Sequence, residues 1–262
     1  MKYTKDELIE LLIEADKSSD GVIIKNEMDD MNGVPASVTY NRRFRSWNAA
    51  KEIAGVEKWD RYDETVNEDF FYNIDEKSSY WVGFLIGDGS VYEYGENGKY
   101  RIKLSLSEKD VEKFNKDINS TYSITRHRHN VEVTLNNQKF IHGAIKHGVT
   151  PRKTTSGTLP NLEEHNRHMI RGYIDADGSI GDPNYKSFTC SITAINKERL
   201  ECVNDIVPFR DGNIRERNHK RAYDLSWHRI SDAQDIYRYL YPNGENTSPK
   251  LERKFDRLSG WI

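Results

Sequence analysis

The chain has 262 residues, enough for one large domain or two modest ones with real cores. Charged side chains make up 31%, mean hydropathy is −0.84, and no apolar run approaches the ~20 residues that span a bilayer, which excludes a membrane-spanning role. The formal charge of −3 argues weakly against a nucleic-acid partner, but it hides a division: −7 over residues 1–75 against +4 over 76–262, the latter with all eight histidines.

The first stretch, TKDELIELLIEADKSS, reads as an amphipathic helix. Thr4 is its N-cap and Glu7 stands at the third helical position, which makes a capping box. It lacks the apolar core of a secretory signal, so a cytoplasmic protein is expected, in a prokaryotic or viral host cell among nucleoid DNA. A second, shorter helix comes next and stops at Gly33. Ser37 is then expected to cap one continuous helix over VTYNRRFRSWNAAKEIAG, ending at Gly55, with Val38, Phe44, Trp47 and Ala50 as its buried stripe. Arg42, Arg43 and Arg45, with Tyr40, would point elsewhere. That face reads either as a DNA-recognition helix or as a solvated basic face on a small bundle. Residues 1–59 are thus expected to form a small all-α module. The acidic stretch 60–75 reads as a linker whose Phe70, Phe71 and Tyr72 dock onto the next domain.

From Glu76 the order is helix, two strands, helix, two strands, helix, and then the order repeats. In KYRIKLSLS the alternation places Tyr100, Ile102, Leu104 and Leu106 on one face and Lys99, Arg101, Lys103 and Ser105 on the other. GENG before it carries hairpin-turn chemistry. Val131, Val133 and Leu135 should face inward. In the second copy Phe188, Cys190 and Ile192 oppose Ser187, Thr189, Ser191 and Thr193, and a later hairpin sets Arg215, Arg217 and His219 against Tyr223, Leu225 and Trp227. Helices near 108–119, 138–147, 196–207 and 230–240 cover the apolar side. The expected fold is α+β: two pseudo-twofold-related αββαββα repeats, 76–156 and 157–262, forming a saddle of antiparallel sheets with basic, hydroxyl-rich open faces. Cys190 and Cys202 are expected to be free thiols, and no Cys/His cluster has zinc spacing.

Each repeat opens on the same skeleton. In WVGFLIGDG, Gly83 and Gly87 stand four apart, and in IRGYIDADG so do Gly172 and Ala176. Small residues at this spacing let two helices approach almost backbone to backbone. Packed against each other, the two helices would bring Asp88 and Asp177 together, where a divalent cation would relieve their repulsion. Hard oxygen ligands suit Mg²⁺ or Mn²⁺. A single Asp-Gly after a helix is commonly just a turn; the doubling is what points to a site.

These two segments resemble the paired motifs of the LAGLIDADG homing endonucleases in their single-chain, two-motif form. The resemblance covers about residues 76–257, and GVPASVTYNRRFRSWNAAKEIAG resembles the homing-endonuclease-associated repeat. One departure is Ile86, where many first motifs carry an acid; Asp175 keeps it in the second. The resemblance implies a metal-dependent nuclease, a hydrolase that cuts both strands of a long, asymmetric double-stranded DNA site across the minor groove and leaves short 3′ overhangs. It further implies action as a monomer and a role in intron mobility. Asp88 and Asp177 would hold the metal with the carbonyls of Gly87 and Ala176, and Lys153, Lys250 or Lys254 would polarise water. Lys99, Arg101, Lys103, Ser187, Thr189, Ser191, Thr193, Arg215, Arg217 and His219 would contact DNA, as would Arg42, Arg43 and Arg45. An RNA-splicing maturase or a non-cleaving DNA-binding regulator on the same fold are the alternatives, and retention of both acids favours cleavage. The Cys or Ser start and His-Asn finish of a protein-splicing element are lacking, so a free-standing chain is expected.

Overall fold

A computed structural model of the chain describes residues 3–19, 23–57, 64–94, 98–127, 130–151, 157–218 and 221–262. The chain divides into two units, 1–63 and 64–262.

The first unit holds α1 (Lys5–Ser18), α2 (Lys25–Asp30), α3 (Ser37–Phe44) and α4 (Trp47–Ala54). The capping box on α1 forms as its sequence dictates: Glu7 N donates to Thr4 Oγ1 at 3.2 Å, and Thr4 N donates to Glu7 Oε2 at 2.7 Å. Leu8, Leu12 and Ala15 from α1 meet Met28, Tyr40, Phe44, Trp47 and Ala50 in a small core. The single helix expected after Ser37 is two. Arg45 turns into the left-handed region at φ 71, and Ser46 starts α4 by accepting from Ala49 N at 3.0 Å. The break resets the helical phase, so Tyr40 is buried and meets Trp47 edge-on at 5.5 Å, whereas Val38 is 49% exposed. Ser37 is not the cap either. It is the first helical residue, and its N–H and hydroxyl both donate to the Asp29 carboxylate, at 2.6 and 3.0 Å.

The second unit begins earlier than the expected linker allows. Thr65 N donates to Thr121 Oγ1, Ser123 N donates to the Glu64 carboxylate, and Val66, Phe70 and Phe71 lie in the main core. Residues 64–75 therefore belong to the packed unit, with Tyr72 left half-exposed. Then come α5 (Glu76–Gly87), β1 (Ser90–Tyr94), β2 (Lys99–Leu106), α6 (Glu108–Asp117), β3 (Ile124–Arg126), β4 (Val131–Leu135) and α7 (Gln138–Lys146). The second repeat runs α8 (Asn166–Asp177), β5 (Gly178–Ile180), β6 (Cys190–Ala194), α9 (Lys197–Ile206), β7 (Asn213–Glu216), β8 (Tyr223–Trp227) and α10 (Ile230–Leu240), and α11 (Glu252–Ser259) closes the chain. The GENG turn lies mostly outside the described residues, Gly98 alone being described, at φ +62.

The sheets have matching orders, β1-β2-β4-β3 and β5-β6-β8-β7, with every neighbouring pair antiparallel. Equal topology from two consecutive segments is what an internal duplication produces. Period-two alternation sends Ile102, Leu104, Val131, Val133 and Leu135 inward from the first sheet, and Cys190, Ile192, Leu225 and Trp227 from the second. Cys190 and Cys202 are free. Among the described residues no helix is long and apolar enough to cross a membrane.

Candidate active site and nucleic-acid interface

The small residues of the doubled motif do what their spacing predicts. A Cβ built on Gly83 would overlap the carbonyl of Met169 and lie 3.0 Å from Tyr173 N; one on Gly172 would overlap the carbonyl of Tyr80 and lie 2.9 Å from Phe84 N. The contacts are reciprocal, so α5 and α8 cross with only backbone between them. One turn further on, a Cβ on Gly87 would run into Ala176 and stand 3.3 Å from Asp177 Oδ2. Gly87 immediately precedes Asp88. The two helix ends are therefore adjacent, each bearing an exposed aspartate, Asp88 at the C-cap of α5 and Asp177 as the last residue of α8.

A cavity of about 180 Å³ opens beside the pair, lined by Gly87, Asp177, Thr193 and the buried Arg199 among others. Arg199 belongs to none of the sequence motifs, yet it lines the same cavity as Asp177, with one N–H on Gly157 O at 3.3 Å. Its signal is a cation on the apolar face of α9, next to the buried Leu200 and four residues before the buried Val203. The Tyr173 phenol beneath is pushed well up by burial and, second, by the charge of Asp177. Among the described residues no three His, Cys, Asp or Glu side chains gather, so the acid centre is a pair.

The lysines expected to serve water activation fall differently. Lys254 is buried on α11, and its ammonium donates to the carbonyls of Ile174, at 2.9 Å, and Gly178, on either side of Asp177. Burial lowers its pKa, while Asp175 and, last and least, Asp88 oppose the shift. Lys250 is tied elsewhere: it donates to Glu245 O at 2.7 Å, pairs with Glu252 at 3.3 Å and sits over the Phe255 ring. Lys153 and His219 lie outside the described residues.

Asp175 is fully buried and accepts from Tyr80 OH at 2.9 Å and Leu251 N at 2.8 Å. Burial raises its pKa to about 6, against the lowering effect of those two hydrogen bonds. Behind it Arg171, also fully buried, donates to Pro249 O and Leu240 O and contacts His168 Nδ1 at 3.0 Å. The His168 pKa is lowered to about 4, chiefly by burial and then by the Arg171 charge.

On the open sheet faces Lys99 and Arg215 are exposed, Arg101 stacks on the Tyr94 ring at 3.9 Å, and Lys103 pairs with Glu132 at 2.5 Å. Ser191 and Thr193 project from β6, opposite Ser226 and Asp224, while Thr189 and the exposed Ser187 precede that strand. Arg217 pairs with Asp224 at 3.1 Å. In the first unit Arg42 and Arg45 are exposed, but Arg43 is half-buried and spends one N–H on Tyr3 O at 2.8 Å.

Residues 3–57 match the sequence family described as the homing endonuclease associated repeat. The solved structures of I-GzeII in complex with its DNA target and of I-AabMI bound to uncleaved DNA superpose with TM-scores of 0.53 and 0.52, at 12% and 13% identity. Each comparison covers 72% of this chain and 89% of the other. I-SmaMI, bound to uncleaved DNA in the presence of calcium ions, gives a TM-score of 0.50 at 12% identity over 72% of this chain and 90% of its own. The fold is that of the LAGLIDADG homing endonucleases. Among curated proteins none matches the chain in sequence.

Proposed function

We propose that the chain is a site-specific double-stranded DNA endonuclease that hydrolyses one phosphodiester bond on each strand, with Asp88 and Asp177 holding divalent cations. The observation that carries this reading is the adjacency of two exposed aspartates at the ends of a backbone-to-backbone helix pair. Two hard carboxylates at adjacent helix ends, beside an open cavity, suit Mg²⁺ or Mn²⁺. The DNA in the I-GzeII and I-AabMI structures, and the calcium with I-SmaMI, support the substrate and the class of ion.

Bound metal would neutralise charge building on the phosphate and lower the pKa of the attacking water. The chain's own residues do the rest. Gly87 and Ala176 keep side chains out of the centre so that their carbonyls and the two carboxylates can face it. Arg199 adds a fixed positive charge from the cavity wall. Lys254 holds the end of α8 in place and leaves the water to other groups. The open sheet faces grip phosphates and read bases in the major groove while the acids cut across the minor groove, leaving short 3′ overhangs. Because the two faces differ in side chains, the site is long and asymmetric and one chain suffices. Arg42 and Arg45 of the first unit extend the contact to flanking DNA, and intron mobility is the biological setting.

The test is cleavage of a randomised duplex library with Mg²⁺, with sequencing of the resulting ends. Double-strand ends with 3′ overhangs at a preferred sequence are expected. Uncut DNA across the library would reject the reading.

A further inference from the structure

Two acids stand on the faces that the proposed function turns toward a polyanion. In the first sheet Glu132 of β4 lies opposite Ser105 of β2 and Thr125 of β3. In the second, Asp224 of β8 lies opposite Thr193 of β6 and Arg215 of β7. Each is the second residue of the strand that takes the third place in its sheet, and each projects from the open side. The register thus makes them equivalent under the internal duplication, although the strands VEVTL and YDLSW have little sequence in common.

Each acid has a basic neighbour. Glu132 is held by Lys103 at 2.5 Å, with His127 Nε2 at 3.8 Å. Asp224 is held by Arg217 Nε at 3.1 Å and accepts from Thr193 Oγ1 at 2.6 Å. The cations are 42% and 41% exposed and the acids 16% and 33%, and ion pairs open to solvent on one side contribute little to stability. A carboxylate also repels phosphate, so neither folding nor bulk affinity accounts for one at the same place in both sheets.

Base reading does. In the major groove a G·C pair shows acceptors at guanine O6 and N7 beside the amino donor of cytosine N4. A cation and a carboxylate side by side offer the matching donor and acceptor. Resting on the endonuclease reading above, we propose that Glu132 with Lys103, and Asp224 with Arg217, are specificity-determining pairs that each read one G·C base pair, at mirror-related positions in the two half-sites. Thr193, which donates to Asp224, also lines the cavity beside Asp177, which sets the second of these base pairs close to the cleavage centre. The cation comes from β2 in the first sheet and from beyond the end of β7 in the second, on opposite sides of the acid. The two G·C pairs are therefore read in opposite senses relative to the repeat, a built-in source of asymmetry.

The experiment compares the unsubstituted full chain with Glu132→Gln and Asp224→Asn on a randomised duplex library, with Ca²⁺ to allow binding and Mg²⁺ to allow cleavage, scoring base preference at every position. Each substitution should remove a preference on the order of ten- to a hundredfold at one base pair and no other. The two affected positions should lie at equal distances on either side of the centre. Lys103→Ala and Arg217→Ala should relax the same two positions, and both acid substitutions should tighten binding to random-sequence DNA by several fold. Preferences unchanged while DNA binding persists, or lost at positions not mirror-related, would overturn this proposal alone. Failure of the unsubstituted protein to bind any duplex would instead overturn the endonuclease reading, and the proposal with it.

Discussion

The ends of α5 and α8 carry the same Asp-Gly and differ in what holds them. Asp88 comes after Ile86, an apolar residue buried in the core. Asp177 comes after Asp175, whose carboxylate fastens Leu251 N just ahead of α11, and it is straddled by the two carbonyls that Lys254 engages. The second acid is thus braced from outside its own helix by buried, charged hydrogen bonds through Asp175 and Lys254, whereas the position equivalent to Asp175 in the first copy, Ile86, contributes apolar packing. A duplicated motif can keep one chemistry while its two copies acquire unlike supports, because only the carboxylate at the end has to be equivalent.

The strongest way to break this comparison is to remove the acids one at a time. Asp88→Asn and Asp177→Asn should each abolish double-strand cleavage and leave DNA affinity within roughly threefold, since phosphate contacts supply most of it. A gel separating supercoiled, nicked and linear plasmid reads the first effect, and titration in Ca²⁺ reads the second. If either variant still linearised plasmid at the original rate, the two ends would not be equivalent in chemistry at all.

A sharper test concerns the brace. Lys254→Met keeps most of the volume but orphans the carbonyls of Ile174 and Gly178. Cutting of the strand served by Asp177 should slow by about tenfold relative to the other strand, a loss of about 1.4 kcal/mol in positioning. Nicked intermediate should accumulate, and Lys254→Arg should restore part of the balance. Strand-specific end labels measure the ratio; equal slowing of both strands would show that Lys254 supports the unit generally and not one end of it.

The effect nearest to zero in the unsubstituted chain is the dependence of its stability on pH, where two larger contributions cancel. An unfolded Asp titrates near 3.9, so between about pH 4 and 6 folded Asp175 holds a proton that the unfolded chain has lost. Its contribution is favourable at low pH and fades as pH rises to 6. Folded His168 lacks a proton that the unfolded chain binds below about pH 6.5, so its contribution is lost as pH falls from 6.5 to 4. Each shift is worth on the order of 3 kcal/mol and they oppose each other, leaving stability nearly level in that window. Asp175→Asn should make stability fall on acidification, and His168→Gln should make it rise. Urea unfolding between pH 4 and 7 tests both; parallel curves for the two variants would refute the assignment.

Much of the second unit was legible in the sequence because its signals are local and repeated. Period-two strands, apolar helix faces and the i, i+4 small residues each report on their own neighbourhood, and duplication doubles every one of them. The first unit misled at Arg45. A non-glycine residue in the left-handed region leaves no mark in composition, and once the helix breaks there the phase that selected Val38 over Tyr40 no longer applies. The contents of the site were legible only in part. Asp88 and Asp177 lie within the motif, but Arg199 and the bracing role of Lys254 depend on which distant backbone each side chain meets. Glu132 and Asp224 become equivalent only when the strand register is known.

The absence of any side-chain layer where Gly83 faces Met169 and Gly172 faces Tyr80 has a mechanical corollary. A cushion of methyl groups can be compressed or re-rotamered, but carbonyls already in contact leave the two repeats nothing to yield. On the endonuclease reading, the middle of the unit is a rigid gauge between Asp88 and Asp177. Any mismatch with a target must be absorbed by the outer edges of the sheets, or by bending and twisting of the duplex, whose elastic energy then adds to the discrimination between sequences.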